Sequence, residues 1–264
     1  MKLNTLLITT IVTSFSAVSS HAILIFGLDT AGVLVSFDSA APNVFTDIGS
    51  PAGGIVEIDF RGSNQKLYGL SGSGESFTIS TTNGSSTFLN TPVTALTGTV
   101  SGFDVNPVPD RFRVVAAGVN NYRLTTGGMD TNAVTVDNQF LVPNGVTLLD
   151  VAYTNPFTGG STTLYSITSD GNLNSHSGPP QFNTLAVVGA TGIVLGTEFG
   201  FDISTEGIAY ASSDSLFYTV NLATGLATPA GVLARPLTSF SAIPEPSSAL
   251  LVGLAGLGLL RRRR

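Results

Sequence analysis

Short segments in which apolar and polar residues alternate, or in which β-branched and aromatic residues cluster, recur along most of this chain. They read as strands. No long stretch shows helical period. One unit repeats: a short strand with a central aspartate, a turn, a second strand and then a third. Ile58-Asp59-Phe60 is followed by Lys66–Leu70 and Ser76–Ile79. Phe103-Asp104-Val105 is followed by Phe112–Val115 and Tyr122–Leu124. Leu149-Asp150-Val151 precedes Thr163–Ile167 and Leu173, and Phe201-Asp202-Ile203 precedes Gly207–Tyr210 and Leu216–Val220. The four aspartates stand 45, 46 and 52 residues apart. Asn83-Gly84, Gly127-Gly128, Gly159-Gly160 and Asp170-Gly171 supply the turns, because glycine and its Asn/Asp partners reach the positive φ that tight hairpins need.

An antiparallel repeat of about 45 residues is the pattern of a propeller blade. Ile23 to Asp38 reads as the second and third strands of a blade that lacks its first. Leu237 to Ile243 is an isolated strand at the other end of the repeats. Joined, they complete a fifth blade and remove the exposed edges of an open array. The pattern therefore predicts an all-β chain, a β-propeller of five blades whose ring is closed by the C-terminal strand. A β-sandwich and an open solenoid of the same hairpins are the alternatives.

Two flanking segments break this pattern. Lys2, the apolar stretch Leu3 to Val18 and Ser20-His21-Ala22 form a secretory signal peptide, with cleavage by signal peptidase between Ala22 and Ile23. Leu3 to Val18 is short and polar-flecked for a permanent anchor. At the other end, Pro244, Glu245 and Pro246 precede an apolar run from Ala249 to Leu260 and then Arg261, Arg262, Arg263 and Arg264. As a helix the run would be about 18 Å long, short of a full membrane span unless the serines and arginine stems extend it. The arginines would stay on the cytoplasmic side. The chain thus divides into a signal peptide at 1–22, a propeller at 23–243 and a tail at 244–264.

The chain has no cysteine, so an exported domain must be held by core burial alone. Ile23 to Ile243 carries six Lys+Arg against sixteen Asp+Glu. That acidity argues against nucleic acid and anionic lipid as partners.

The tail resembles the PEP-CTERM sorting signal of Gram-negative bacteria, with Pro244-Glu245-Pro246, the membrane segment and the basic end in matching order. The resemblance implies export, processing by the membrane enzyme exosortase, transit through the inner membrane and delivery to the cell surface or extracellular matrix. A plain C-terminal membrane anchor is the alternative, and it would not need Pro-Glu-Pro. The segments Gly54 to Leu70 and Gly102 to Val115 resemble DUF4394, a family of exported domains. Asn106-Pro107, Asp110-Arg111, Arg113 and Asn121-Tyr122-Arg123 carry that likeness. The family offers no activity to carry over.

The most polar constellation is Asp104, Asp110, Arg111 and Arg113, with Arg123 in the next strand. Arg111 and Arg113 share one strand face. Guanidinium forks at that spacing suit a carboxylate or an acidic sugar. Pairing with nearby aspartates to staple strands is the plainer reading. The repeated Asp59, Asp104, Asp150 and Asp202 either converge on a central channel or cap turns. No calcium-loop spacing occurs, and Asp130 to Asp137 is too dilute for one. His176 reads as part of a Ser-Gly turn with no ligand partner, so no metal or cofactor is expected. No catalytic motif appears. The function expected is a non-catalytic surface protein that binds exopolysaccharide or another surface protein. The alternative is a polysaccharide hydrolase or lyase at the channel mouth.

Overall fold

The computed structural model describes residues 22–125, 133–156 and 160–243. The regular elements among them are all β-strands, arranged as five four-stranded antiparallel sheets. Blade one holds β1 (Leu24–Asp29), β2 (Leu34–Asp38) and β3 (Thr46–Gly49). Blade two holds β4 (Ile55–Arg61), β5 (Lys66–Ser71), β6 (Ser76–Ile79) and β7 (Ser86–Asn90). Blade three holds β8 (Val100–Asn106), β9 (Arg111–Ala116), β10 (Asn120–Thr125) and β11 (Val134–Val136). Blade four holds β12 (Leu148–Tyr153), β13 (Leu164–Thr168), β14 (Asn172–Ser177) and β15 (Thr184–Ala190). Blade five holds β16 (Phe199–Ile203), β17 (Ala209–Ser213), β18 (Leu216–Val220) and β19 (Ala227–Val232). The last strand, β20 (Leu237–Ile243), returns to blade one and pairs with β1 on its inner edge.

The first strand of each sheet lies innermost. In blade one that place belongs to β20. The inner strands β4, β8, β12, β16 and β20 pack against one another in turn, and β20 packs against β4 to shut the ring. Five hydrophobic cores result, one between each pair of adjacent blades. Phe37, Tyr210, Phe217 and Phe240 fill the core between blades five and one. Ile55, Ile58, Leu67 and Phe77 face Phe26, Leu28 and Leu34 between blades one and two. Because each sheet buries both faces, its three inner strands are apolar on alternate sides of the blade.

The expected β-propeller of five blades, closed by the C-terminal strand, is the observed architecture. Each blade carries one strand more than the repeat suggested. The missed strands β3, β7, β11, β15 and β19 are outermost, and their residues are largely exposed or half-buried. A strand with one neighbour and one wet edge needs no apolar alternation, so the pattern hides it. Asp170-Gly171 does turn β13 into β14, with Gly171 at φ +81°. The residues before Ala22, the Gly127-Gly128 turn, Gly159, the sorting motif Pro244–Pro246, the run Ala249–Leu260 and the terminal arginines lie outside the described residues.

The closing seam depends on a close fit. A Cβ on Gly27 of β1 would meet the Leu237 Cδ1 at 2.7 Å, so glycine here lets this buried leucine settle across the seam without shifting. Leu237→Ala is expected to cost roughly 2–5 kcal/mol, the range for emptying a buried leucine site. The measurement is the urea midpoint of equilibrium unfolding, and an unchanged midpoint would show that the seam does not hold the ring.

Candidate functional site

Inner strands of a propeller each present one edge with no strand beside it. Their outward N–H groups need acceptors from elsewhere. Here the repeated aspartates supply them. Asp59 Oδ2 accepts the Val105 N–H of the next blade at 2.8 Å. Asp104 Oδ2 accepts the Tyr153 N–H at 3.0 Å, and Asp150 Oδ2 the Phe201 N–H at 2.9 Å. Asp202 Oδ2 accepts the Ala242 N–H at 2.6 Å. Serines complete the circuit from β20 to β4. Ser241 Oγ accepts the Phe60 N–H at 3.1 Å, and Ser239 Oγ the Ile58 N–H at 3.0 Å. Ser241 Oγ also donates to Asp59 Oδ1 at 2.8 Å.

The four aspartates do not form one ring. In β4, β8 and β12 the pairing with the next strand slips just before Glu57, Gly102 and Asp150 respectively. Counted from these bulges, Asp150 aligns with Glu57 and Gly102, two residues short of Asp59 and Asp104. Its hydrogen bond agrees, since it reaches the residue before Asp202. One level of the channel wall therefore carries Asp59, Asp104, Ala152, Asp202 and Ser241. The next carries Glu57, Gly102, Asp150, Gly200 and Ser239. The sequence repeat placed Asp150 with the other three; the structure corrects this, because Asp150 stands one residue past the bulge of its strand and Asp59 and Asp104 stand three past theirs.

At the first level, one carboxylate oxygen from each of Asp59, Asp104 and Asp202 lies within 4.8 Å of the others. Strand β16 borders neither β4 nor β8, so this contact crosses the axis of the ring. All three side chains are buried, and no ion pair among the described residues includes them. Burial and mutual repulsion push Asp59 and Asp104 well above the usual carboxylate range. Burial, with repulsion from Glu57, does the same to Asp150. Burial raises Asp202 to about 6 and Glu57 to about 8. Only oxygen donors face this space, which suits a hard cation. Sequence spacing hides this cluster, because its carboxylates come from distant strands.

The remaining candidates separate. Asp110, in the turn between β8 and β9, holds Arg61 of blade two in a two-pronged ion pair, which keeps its carboxyl below the usual range. Arg111 is half-buried beside it, and its charge also bears on Asp110. Arg113 is fully buried. Its guanidinium donates to Asp137 Oδ2 at 2.9 Å, to Tyr153 Oη at 3.1 Å, to the Pro180 carbonyl at 2.8 Å and to Asn121. Arg123 grips the same Asp137 with two bonds of 2.7 and 2.8 Å. Arg113 and Arg123 thus meet, through an aspartate that the sequence reading set aside. Asp104 and Asp110 point elsewhere.

Arg123 lines a cleft of about 750 Å³ between blades three and four. Val108, Pro109, Pro179, Pro180 and Phe182 form much of its wall, and its lining includes no carboxylate among the described residues. His176 also lines it. The histidine belongs to β14 and is buried, which corrects its placement in a turn. A strand position two residues before Gly178 looks like a turn by composition alone. Its Nδ1–H donates to the Phe182 carbonyl at 2.8 Å, so Nε2 accepts the Ser166 hydroxyl at 2.8 Å. Burial lowers its pKa to about 4.

The folded protein therefore binds fewer protons at His176 than the unfolded chain does between pH 6.5 and about 4. Stability from this group is complete above pH 6.5 and is lost as pH falls toward 4, on the order of 3 kcal/mol in all. The wild-type minus His176→Gln difference in unfolding free energy is expected to fall by about 3 kcal/mol between pH 6.5 and pH 4. A difference that does not change with pH would show that the imidazole titrates normally.

Comparison with known proteins bears on fold and sorting. No curated protein matches this sequence. Among the solved structures that this chain resembles are three of similar fold. One comes from work on the de novo evolutionary emergence of a symmetrical protein, at 14% identity and TM-score 0.50, covering 84% of this chain and 100% of that one. One is a protein of unknown function from Bacteroides thetaiotaomicron, at 11% identity and TM-score 0.52, covering 78% of this chain and 57% of that one. The third is a gluconolactonase from Xanthomonas campestris, at 12% identity and TM-score 0.50, covering 83% of this chain and 79% of that one. Such identities speak for the fold alone. Residues 242–264 match the PEP-CTERM protein-sorting motif. That motif implies export to the cell envelope or surface and processing by exosortase. Residues 33–242 match the domain of unknown function DUF4394, a span that takes in nearly the whole ring, and the chain belongs to that family.

Proposed function

We propose that this protein is a non-catalytic binding protein of the cell surface or extracellular matrix, and that the cleft between blades three and four takes an acidic polysaccharide. The cleft carries the reading. Among the described residues, two arginines share the carboxylate of Asp137, which leaves one net positive charge beside the cleft. The surrounding domain is acidic, and the described lining holds no carboxylate to oppose that charge. Proline and phenylalanine walls beside a guanidinium suit the apolar face and carboxylate of a uronic sugar.

A polysaccharide hydrolase or lyase at the channel mouth is the other reading. The catalytic pair would have to come from carboxylates that here accept backbone N–H bonds from the neighbouring blade. That role supports bracing over proton transfer.

Purified protein is expected to bind polygalacturonate and to leave neutral dextran unbound, with affinity falling as salt rises. Arg123→Gln should weaken polygalacturonate binding at least tenfold while Arg113 keeps Asp137 paired. Equal binding of both polymers would sink the cleft assignment. Release of new reducing ends or unsaturated products during the assay would transfer the case to the enzyme.

A further inference from the structure

The channel cluster is separate from the cleft and does not depend on it. We infer that the first level of the channel binds one calcium ion through Asp59, Asp104 and Asp202. Calcium–oxygen bonds of about 2.3–2.6 Å place ligands on opposite sides of an ion nearly 5 Å apart. The three oxygens, all within 4.8 Å of one another, meet that requirement. They come from three different blades, two neighbours and one from across the axis.

A second observation points to a cation. Glu57 precedes Asp59 by two residues and so projects from the same side of β4. It is 7% exposed, and its Oε2 has no hydrogen-bond partner. Asp150 stands on the same level of the channel wall as Glu57. A buried carboxylate oxygen that no donor of the chain reaches can be completed by a cation. The groups around this space are Glu57 and Asp59 on β4, Asp104 on β8, Asp150 on β12, Asp202 on β16 and the serines of β20. Among the described residues, no lysine, arginine or histidine stands with them. Ligands held by separate sheets suit the looser coordination of calcium better than the strict octahedron of magnesium. Bound there, the ion would tie blades two, three and five together at the axis.

The test uses the full-length protein in detergent, stripped with EDTA and titrated with calcium chloride by calorimetry, with magnesium chloride in parallel. One calcium per chain is expected, in the range of about 10⁻⁴–10⁻³ M common to extracellular calcium modules, with a rise in Tm on saturation. Asp59→Asn, Asp104→Asn and Asp202→Asn each keep an oxygen for the neighbouring N–H, so the blades stay clasped. Each should lose at least tenfold in calcium affinity. Asp170→Asn, on an exposed hairpin, should bind as the wild type does. The proposal is overturned if wild-type protein shows neither heat nor a Tm shift up to 10 mM calcium (about ten times the weakest such Kd). It is equally overturned if the three variants bind like wild type, or if magnesium binds more tightly than calcium.

Discussion

Everything in this ring turns on the unpaired edge of the innermost strands. A sheet curled around an axis leaves those edges facing inward, where backbone N–H groups are buried and strand pairing is impossible. Here a side chain from the preceding blade bonds to each inner strand: aspartates four times, serines once. Every bond joins two blades, so the same contacts that satisfy the edges also fix the blades' spacing. The five cores then fill the wedges between sheets already clasped at the centre. The cost is electrostatic. Satisfying N–H groups with carboxylates concentrates negative charge in a small buried space.

The blades were readable in the sequence because their first three strands are buried and punctuated by Gly, Asn and Asp. The closing strand was readable because Leu237 to Ile243 had no partner nearby in the chain. The outer strands were not, since exposed residues such as Val187 and Val232 carry no pattern. The aspartate repeat was legible as a period but not as a geometry. Asp150 stands closer to the bulge of its strand than Asp59 and Asp104 stand to theirs, which moves it by one level, and nothing in the local sequence announces it. Glu57 went unnoticed for a related reason: a lone glutamate in a strand looks like an exposed position until the ring closes around it.

The arginines show how charge is allocated. The domain holds few cations, and the described structure places most of them against specific carboxylates: Arg61 on Asp110, Arg113 and Arg123 on Asp137, Arg235 on Asp29 and Asp47. These pairs join blades or bind outer loops to inner strands. The Arg113–Asp137 pair is buried on both sides; such a pair adds little net stability but is costly to break, so it fixes where the segment after β11 sits. Asp137 follows the short outer strand β11 and anchors that side of the cleft. The cleft wall and the blade three–four junction are therefore one construction.

Strand β20 pairs with β1 so that Ile243 lies opposite Leu24. The two ends of the ring are thus neighbours, although the whole domain separates them in sequence. A chain exported from its N-terminus delivers β1 first and β20 last. Until β20 emerges, blade one lacks its inner strand and the core between blades five and one lacks Leu237 and Phe240. Closure of the ring thus waits on the last strand of the domain, the segment that leads straight into the sorting motif.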